Sequence, residues 1–259
     1  MNQEKIITFL TDFGTKDSYV GQMKGVVLSI NPRAKIIDIT HEIEPQDIRE
    51  AAFVLKEYYP YFPEGTIHVA VVDPEVGGAR RPVACMHNGH IFIGPDNGIF
   101  TLVLNDKAEI YHIQNRSFML PHISNTFHGR DVFSPVAAHL SKGIPVASVG
   151  ERIEGYTVLE SCFPLIYTDV IYGEIVRFDR FGNAITNIDE KTLDGFVKDR
   201  GFKISLGKKE FKNIKKSYFE DEFSCLIGSS GYLEFGYYKG SFKDKIGIWK
   251  GDEVVIKTL

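Results

Sequence analysis

The spacing of apolar and polar positions divides the chain into two parts. Up to about Leu165, short apolar runs alternate with segments in which apolar residues recur at helical spacing. Short apolar runs are typical of buried strands, and helical spacing is typical of helices that cover one face of a sheet. The pattern predicts strands at 6–10, 35–39 and 67–72, a hairpin from 83–86 and 90–94, and helices that begin at Asp17 or Ser18, at 47–59 and at 131–143.

The second part, after Leu165, has a different texture. Its strand-like runs are short, are split by glycines and charged turns, and show no convincing helical period. Such a pattern favours a small all-β barrel or sandwich. We therefore expect an α/β domain at 1–165, with a central sheet and helices on both faces, followed by a small all-β, barrel-like domain at 166–259. The segment around Pro164 is the expected linker.

Composition narrows the class of protein. The 259 residues are 43% hydrophobic and 25% charged, which is the balance of a soluble globular protein. A formal net charge of −4 gives no strong attraction to nucleic acid or to an anionic membrane. The first residues lack the apolar stretch and cleavage site of a signal peptide, and the three separated cysteines fit neither a disulfide framework nor a paired-cysteine metal site. These features predict a cytoplasmic protein with no nucleic-acid or membrane partner.

Polar side chains follow several predicted strands, at the place where ligands bind in open α/β sheets. Another group lies on a glycine-broken strand of the second part. These candidate residues are Thr11, Asp12 and Asp17 after the first strand, Asp73 and Arg80 after the third, His128, Arg130 and Asp131 at the start of a helix, and Asp179, Phe181, Asn183 and Asn187 in the second part.

Each candidate also has a structural interpretation. Asp73 precedes Pro74 and is well placed to close a turn. Asp131 is well placed as the N-cap of its helix. Arginines such as Arg80 are ordinarily solvated surface charges, His41 is as readily a loop histidine as a site residue, and Phe181 would ordinarily belong to a barrel core.

Several chemistries lack their sequence signature. No GxGxxG follows a strand, and there is no GxxxxGK[ST] loop, no GxSxG elbow and no HExxH or paired-cysteine zinc pattern. Isolated aspartates and histidines at strand ends can nevertheless bind a metal ion. From the residues alone, a metal-dependent hydrolase therefore stays open.

Six motifs appear in order across nearly the whole chain: TDFGTKDSYVGQMKG, VVDPEVGGARRP, GPDNG, NTFHGRD, FDRFGNAITN and SSGYLEF. Together they resemble those of the S-adenosyl-L-methionine hydroxide adenosyltransferases, the adenosine-forming hydrolases related to fluorinase and chlorinase. The resemblance implies an N-terminal α/β domain and a C-terminal β-barrel. It also implies a homotrimer in which each active site lies between the N-domain of one subunit and the C-domain of the next.

The same resemblance implies roles for individual residues. Fluorinase has an arginine where Ser230 stands and a different sequence at FGYYKGS, so no late adenine contact is carried over. The implied roles are Asp12 at the ribose hydroxyls; Asp17, Ser229 and Ser230 near the methionine end; Phe127 beside the reacting centre; Asp179, Phe181 and Asn183 at the amino acid and adenine portions; and Asp73, Arg80 and His128 as the set that activates water.

The expected reaction is hydrolysis of S-adenosyl-L-methionine to adenosine and L-methionine, by activated water at C5′ of the ribose. S-adenosyl-L-methionine is then the substrate, and neither a cofactor nor a metal ion is expected. The halide-using relatives have a tyrosine where Asp73 stands, and a carboxylate there would repel an incoming halide. A non-catalytic sensor of the same ligand and a 5′-halogenating enzyme are the alternatives. The sequence does not decide whether Asp73 or His128 takes the proton.

Overall fold

The computed structural model describes residues 5–198 and 200–259. The chain divides into two compact units, Met1–Leu159 and Glu160–Leu259. The prediction of two parts, the first of them α/β, is confirmed. Within the described residues, no helix is long and apolar enough to cross a membrane.

The first unit is built on a seven-stranded mixed sheet with the strand order β2-β1-β3-β5-β4-β6-β7. The pairs β1–β2, β1–β3 and β3–β5 are parallel, whereas β4 runs antiparallel to β5 and β6. The elements are β1 (Ile6–Thr11), α1 (Tyr19–Ile30), β2 (Lys35–Thr40), α2 (Ile48–Tyr58), β3 (Ile67–Val71), β4 (Pro82–His87), β5 (His90–Pro95), β6 (Glu109–His112), α3 (Ser134–Ser141) and β7 (Arg152–Ile153).

Both faces of this sheet are covered by helices. Phe9 of β1 belongs to a buried cluster with Val27 of α1 and Ala137 of α3. Leu10, which points to the opposite face, belongs to a second cluster with Leu55 of α2. The alternation along β1 therefore sends successive side chains into two different cores, which is why this strand reads as a continuous apolar run.

One predicted helix start is wrong. Asp131 is not an N-cap, because it lies inside a π-helical turn (Gly129–Phe133) that leads directly into α3. Its carboxylate is fully buried and accepts hydrogen bonds from Arg130 Nε at 2.6 Å and from the backbone nitrogen of Ser124 at 2.8 Å. A buried charge keeps such partners because burial without them is costly. Asp131 therefore ties the preceding loop to the turn.

The second unit is built on one antiparallel sheet, in which β12-β11-β15-β9-β10-β14-β13 are neighbours and β8 pairs with β9. The barrel-like form expected for this unit stays a prediction. Its elements are β8 (Leu165–Ile166), β9 (Val170–Phe178), β10 (Ala184–Asp189), α4 (Glu190–Val197), β11 (Phe202–Leu206), β12 (Lys209–Phe211), β13 (Phe223–Ile227), β14 (Tyr232–Tyr237), α5 (Phe242–Ile246) and β15 (Glu253–Thr258).

The prediction that the second part is all β is wrong, because α4 and α5 lie within it. In α4, Leu193, Phe196 and Val197 enter the core, and Asp189 caps the helix by accepting from Thr192 N at 2.6 Å. Eight residues give only two turns, so the apolar spacing repeats too few times to stand out from strand-like alternation.

Candidate active site

Three candidate residues converge at one edge of the seven-stranded sheet. Asp12 follows β1 and Asp73 follows β3, and these two strands are parallel neighbours. Arg80 precedes β4, which runs antiparallel to β5, so the start of β4 lies at the same edge. The carboxyl edge of an open α/β sheet is where ligands bind, as the sequence predicted.

Asp73 and Arg80 form a buried ion pair. Arg80 Nε donates to both carboxylate oxygens of Asp73, at 2.9 and 3.0 Å, and Nη2 donates to Oδ2 as well. The side chains are only 3% and 4% exposed, so the interpretation of Arg80 as a surface charge is wrong. Asp73 also closes a turn, because its carbonyl accepts from Val76 N at 3.2 Å. The turn predicted for Asp73 is therefore present, and its side chain is free of that turn and pairs with Arg80.

His128 joins this pair through Arg80. Nη2 of Arg80 lies 2.7 Å from Nδ1 of His128. A guanidinium only donates, so Nδ1 accepts, and a neutral His128 carries its proton on Nε2. Burial lowers the pKa of His128, and the positive charge of Arg80 lowers it further. The imidazole is therefore neutral near pH 7, with an N–H donor on Nε2.

Arg80 keeps one further donor. Its Nη1 is buried and has no hydrogen-bond partner among the described residues. A buried donor without a partner is costly and requires an explanation, and an oxygen atom of a bound ligand is one that fits this position. Arg80 thus offers Nη1 to an oxygen atom while its other nitrogens hold Asp73 and His128.

Gly77 lets the two loops of the set approach each other. Its φ is +77°, and a Cβ at this position would lie 2.2 Å from the carbonyl oxygen of Asn125. Asn125 belongs to the loop that carries His128, whereas Gly77 belongs to the loop between Asp73 and Arg80. A side chain here would push apart the two loops whose approach allows the bond between Arg80 and His128.

Asp12 lies close enough to Asp73 for the two charges to interact. Burial raises the pKa of Asp12, and the negative charge of Asp73 raises it further. Hydrogen bonds from backbone N–H groups, chiefly that of Gln46, oppose the rise. The bond from Gln46 N to Oδ2 measures 2.9 Å. Asp12 is therefore held by a neighbouring loop beside the charged set.

His41 supports the loop that carries Asp12. It is 6% exposed, with Nδ1 lying 2.8 Å from Thr11 Oγ1 and Nε2 lying 3.1 Å from Asp38 Oδ1. Thr11 Oγ1 accepts from Phe13 N at 3.2 Å, and the carbonyl of His41 accepts from Gly14 N at 2.7 Å. His41 thus fixes the backbone on both sides of Asp12, which the sequence left undecided.

Phe127 belongs to an aromatic cluster next to His128. Its ring packs edge-on against Phe13 at 5.7 Å and against Tyr19 at 5.3 Å, and the residue is 8% exposed. Phe13 follows Asp12 directly, so the ring lies on the same side of the unit as the charged set. Asp17 is exposed, just before α1. No hydrogen bond joins Asp17 to the Asp73 set in the described residues.

In the second unit, Asp179 organises a tight turn. Its Oδ1 accepts from Phe181 N at 2.9 Å and from Asn183 N at 2.8 Å, and its Oδ2 accepts from Asn183 Nδ2 at 2.9 Å. The turn presents the ring of Phe181, which is 76% exposed. The interpretation of Phe181 as core is therefore wrong. An exposed aromatic ring on a rigid turn suits contact with a flat ligand group.

Ser229 and Ser230 lie in the turn between β13 and β14. Two backbone bonds close this turn: Gly231 N donates to Gly228 O, and Gly228 N donates to Tyr232 O, each at 2.9 Å. The register pairs Asp189 with Tyr232 and Ala184 with Phe235. The serine turn and the Asp179 turn therefore lie at opposite ends of the β10–β14 pair.

A group of acids that could hold a metal ion flanks Gln46, whose backbone nitrogen donates to Asp12. Within the described part of the chain, the carboxylate oxygens of Glu44, Asp47 and Glu50 lie within 4.8 Å of one another. Asp47 caps α2 by accepting from Glu50 N at 2.8 Å. The helix N-terminus accounts for this concentration of acids, because its positive dipole favours negative charge.

Comparison with known proteins identifies the family to which the chain belongs. The model of the SAM hydroxide adenosyltransferase N-terminal domain matches residues 7–150, and that of the C-terminal domain matches residues 173–255. The chain belongs to the SAM hydroxide adenosyltransferase family. The resemblance carried by the six motifs is therefore confirmed.

Several relatives match this chain over almost their whole length. An (R)-S-adenosyl-L-methionine hydrolase of Thermus thermophilus is 38% identical, over 95% of this chain and 96% of its own. That of Methanocaldococcus jannaschii is 39% identical, over 97% and 95%. A protein of Thermotoga maritima with a solved crystal structure has a TM-score of 0.88 and 38% identity, covering 97% of this chain and 99% of its own. A fluorinase of Nocardia brasiliensis is more distant, at 28% identity over 98% of this chain and 97% of its own.

Proposed function

We propose that this chain is an (R)-S-adenosyl-L-methionine hydrolase that forms adenosine and L-methionine. The observation that carries the proposal is the buried, hydrogen-bonded set of Asp73, Arg80 and His128 at the ligand-binding edge of the sheet. The relatives named as hydrolases match at 32% to 40% identity, three of them over nearly the full chain, whereas the fluorinases match at 27% to 30%.

The substrate decides what the site must supply. In a sulfonium, methionine leaves as a neutral thioether, so the leaving group needs neither a proton nor a Lewis acid. The missing component is a nucleophile, because hydroxide is scarce at pH 7. The site must orient water in line with the C5′–S bond and take up its proton.

Asp73 is the proton acceptor in this scheme. Nδ1 of His128 is already occupied by Arg80, and Nε2 carries the remaining proton, so neutral His128 donates a hydrogen bond to the attacking oxygen. Arg80 pairs with the carboxylate of Asp73: Oδ2 accepts from both Nε and Nη2, whereas Oδ1 accepts only from Nε among the described residues and so retains a lone pair for the proton. The oxygen of water bonds to C5′ and the C5′–S electron pair passes to sulfur. One proton of the water passes to Asp73 and then to solvent, and the other stays on the 5′ oxygen of adenosine.

The binding contacts follow the family resemblance. Asp12 holds the ribose hydroxyls, and Phe127 packs beside the reacting carbon. Support comes from the position of Asp12 next to Asp73 and from the burial of Phe127 among aromatic rings. The remaining contacts of the proposal are Asp17, Ser229 and Ser230 at the methionine end and Asp179, Phe181 and Asn183 at the amino acid and adenine portions.

The localisation, the oligomeric state and the partners of the protein are proposed from its composition and from the family resemblance. We propose that the protein works in the cytoplasm as a homotrimer, with a barrel-like domain at 166–259 and with the small-molecule substrate as its ligand. It requires no metal ion or cofactor, and it has no nucleic-acid or membrane partner. Sedimentation equilibrium of the purified chain tests the trimer.

Halogenation at C5′ is disfavoured by the charge of the site. A halide approaching C5′ would meet the carboxylate of Asp73, whereas water is helped by it. Incubation of the purified protein with S-adenosyl-L-methionine tests the proposal. Adenosine and methionine formed over many turnovers support hydrolysis, a 5′-halogenated nucleoside supports halogenation, and tight binding without turnover supports a sensor.

A further inference from the structure

The GPDNG motif, at 94–98, has no part in the proposed contacts with the substrate. It nevertheless lies at the carboxyl edge of the sheet, in the middle of the candidate site. In the sheet, β5 lies between β3 and β4. Because β3 and β5 are parallel and β4 is antiparallel to β5, the end of β5 meets the end of β3 and the start of β4. Asp96 and Asn97 therefore lie between the strand that leads to Asp73 and the strand that follows Arg80.

Asn97 holds the peptide group just before Asp73. The β3–β5 ladder pairs residues up to Val69 and Ile93, and Val72 lies beyond it. There the side chain of Asn97 takes over, since Nδ2 donates to the carbonyl oxygen of Val72 at 2.8 Å. Asn97 is 8% exposed, and its Oδ1 accepts from Ile99 N at 3.3 Å. Both ends of the amide are used, so the backbone leading into Asp73 has a fixed position.

Asp96 holds the residue just after Arg80. Its backbone nitrogen donates to Arg81 O at 2.8 Å, and its Oδ2 accepts from Arg81 Nε at 2.9 Å. The carboxylate of Asp96 is 4% exposed and also accepts from Thr157 N at 2.7 Å. Its position is thus fixed from two sides.

The anchoring of Arg81 sets the direction of Arg80. Arg81 directly precedes β4 and Pro82, a position that favours extended backbone. Neighbouring side chains of an extended segment point to opposite sides. With Arg81 bound to Asp96, Arg80 points the other way, and there its guanidinium meets Asp73 and His128.

We propose that Asp96 and Asn97 are positioning residues for the hydrolysis. They set the distance and angle between Asp73 and Arg80 without touching the substrate themselves. This inference rests on the proposed role of the Asp73, Arg80 and His128 set. Residues that hold reacting groups in place matter because a displacement of about 1 Å can lower the rate on the order of 100-fold.

Asn97→Ser and Asn115→Ser form a matched pair for the test. Asn115 makes the same two kinds of bond as Asn97, to Ser148 O at 2.9 Å and from Ser117 N at 3.1 Å, and neither partner is a proposed catalytic or binding residue. We expect Asn97→Ser to lower kcat about 10- to 100-fold while the Kd for S-adenosyl-L-methionine changes less than about threefold. Asn115→Ser should leave both unchanged.

The same substitution made in the Asp73→Asn variant separates a positioning role from general damage to the fold. If Asn97 acts through Asp73, its substitution should cost less than about twofold in kcat when Asp73→Asn is already present, because coupled residues are not additive. An equal cost in both backgrounds would overturn the proposal. So would a loss of affinity with kcat unchanged.

The fold should tolerate the substitution Arg81→Gln, because the side chain of Arg81 is 38% exposed. We expect kcat to fall about 3- to 10-fold with Kd unchanged, and the exposed Arg33→Gln to have no effect. If Asn97→Ser does not fold, an unchanged kcat in Arg81→Gln overturns the proposal. A wild-type protein that forms no adenosine would instead refute the proposed function, so the two failures are distinguishable.

Discussion

Arg80 donates from Nη2 to Nδ1 of His128 across 2.7 Å, and this bond assigns the histidine its protonation state. A proton on Nδ1 would remove the acceptor and place two cations side by side. Burial and the charge of Arg80 lower the pKa of His128 accordingly. The histidine is therefore a neutral donor in the working range of the enzyme, and its protonation should end activity.

The pH profile of kcat tests this state. Because the pKa of His128 is lowered, the neutral form persists as pH falls through the ordinary histidine range, and kcat should decline only below it. In His128→Asn the amide oxygen can accept from Arg80 but does not titrate, so the histidine's part of the decline should vanish. The exposed His122→Gln serves as control. A decline centred at or above pH 6.5 in the wild type would contradict the assignment.

Asp73 and Asp12 should differ in which kinetic step they affect. Asp73→Asn should lower kcat by about 10²–10⁴-fold and leave the Kd for S-adenosyl-L-methionine largely intact, because this residue acts on water. Asp12→Ala should weaken binding by roughly 1.5–3 kcal/mol, because the ribose hydroxyls lose a charged acceptor. Calorimetric titration beside single-turnover rates separates the two. Equal losses of affinity in both variants would make Asp73 a substrate contact.

The sequence predicted most of the first unit, because apolar periodicity reports burial directly. It failed where a feature depends on contacts between distant segments. Asp131 has the sequence context of an N-cap, but its buried carboxylate instead accepts a hydrogen bond from Ser124 N and so holds the preceding loop. In α4, two helical turns were too few to show a period.

For the site, motif order located Asp73, Arg80 and His128, but not the residues that hold them in place. The part of Asn97 depends on β5 lying between β3 and β4, which is a property of strand order rather than of local sequence. His41 likewise acts on Thr11 across 30 positions of the chain. In the sequence, the GPDNG motif and the ITHEI segment around His41 mark these residues, but neither motif shows which residues they contact.

Gly77→Ala should separate the two loops of the site. The added Cβ would lie 2.2 Å from Asn125 O, so the loop carrying His128 must shift and the bond to Arg80 should lengthen or break. We expect kcat to fall about 10- to 100-fold with a smaller change in Kd. Gly65→Ala is the matched control, because its φ is +85° and its Cβ would meet no atom of residues 5–198 or 200–259 within 4 Å. Similar kcat losses in both variants would attribute the effect to backbone strain alone.

Removal of metal ions should leave turnover unchanged. A neutral thioether leaves without a Lewis acid, and the nitrogen atoms of Arg80 already occupy the carboxylate of Asp73 and Nδ1 of His128. Dialysis against a strong chelator, followed by a rate measurement, checks this expectation. Activity that disappears and returns with zinc, manganese or magnesium would favour a metal-dependent hydrolase. The variant Glu44→Gln would then show whether the Glu44, Asp47 and Glu50 group holds the ion.

The origin of the 5′ oxygen of adenosine tests the central claim most directly. The purified protein is incubated with S-adenosyl-L-methionine in ¹⁸O-labelled water, and the nucleoside product is analysed by mass spectrometry. Attack by water at C5′ predicts adenosine that carries one ¹⁸O atom at its 5′ position, together with unlabelled L-methionine. Unlabelled adenosine, or S-adenosylhomocysteine as the product, would contradict hydrolysis at C5′ and with it the role assigned to Asp73, Arg80 and His128.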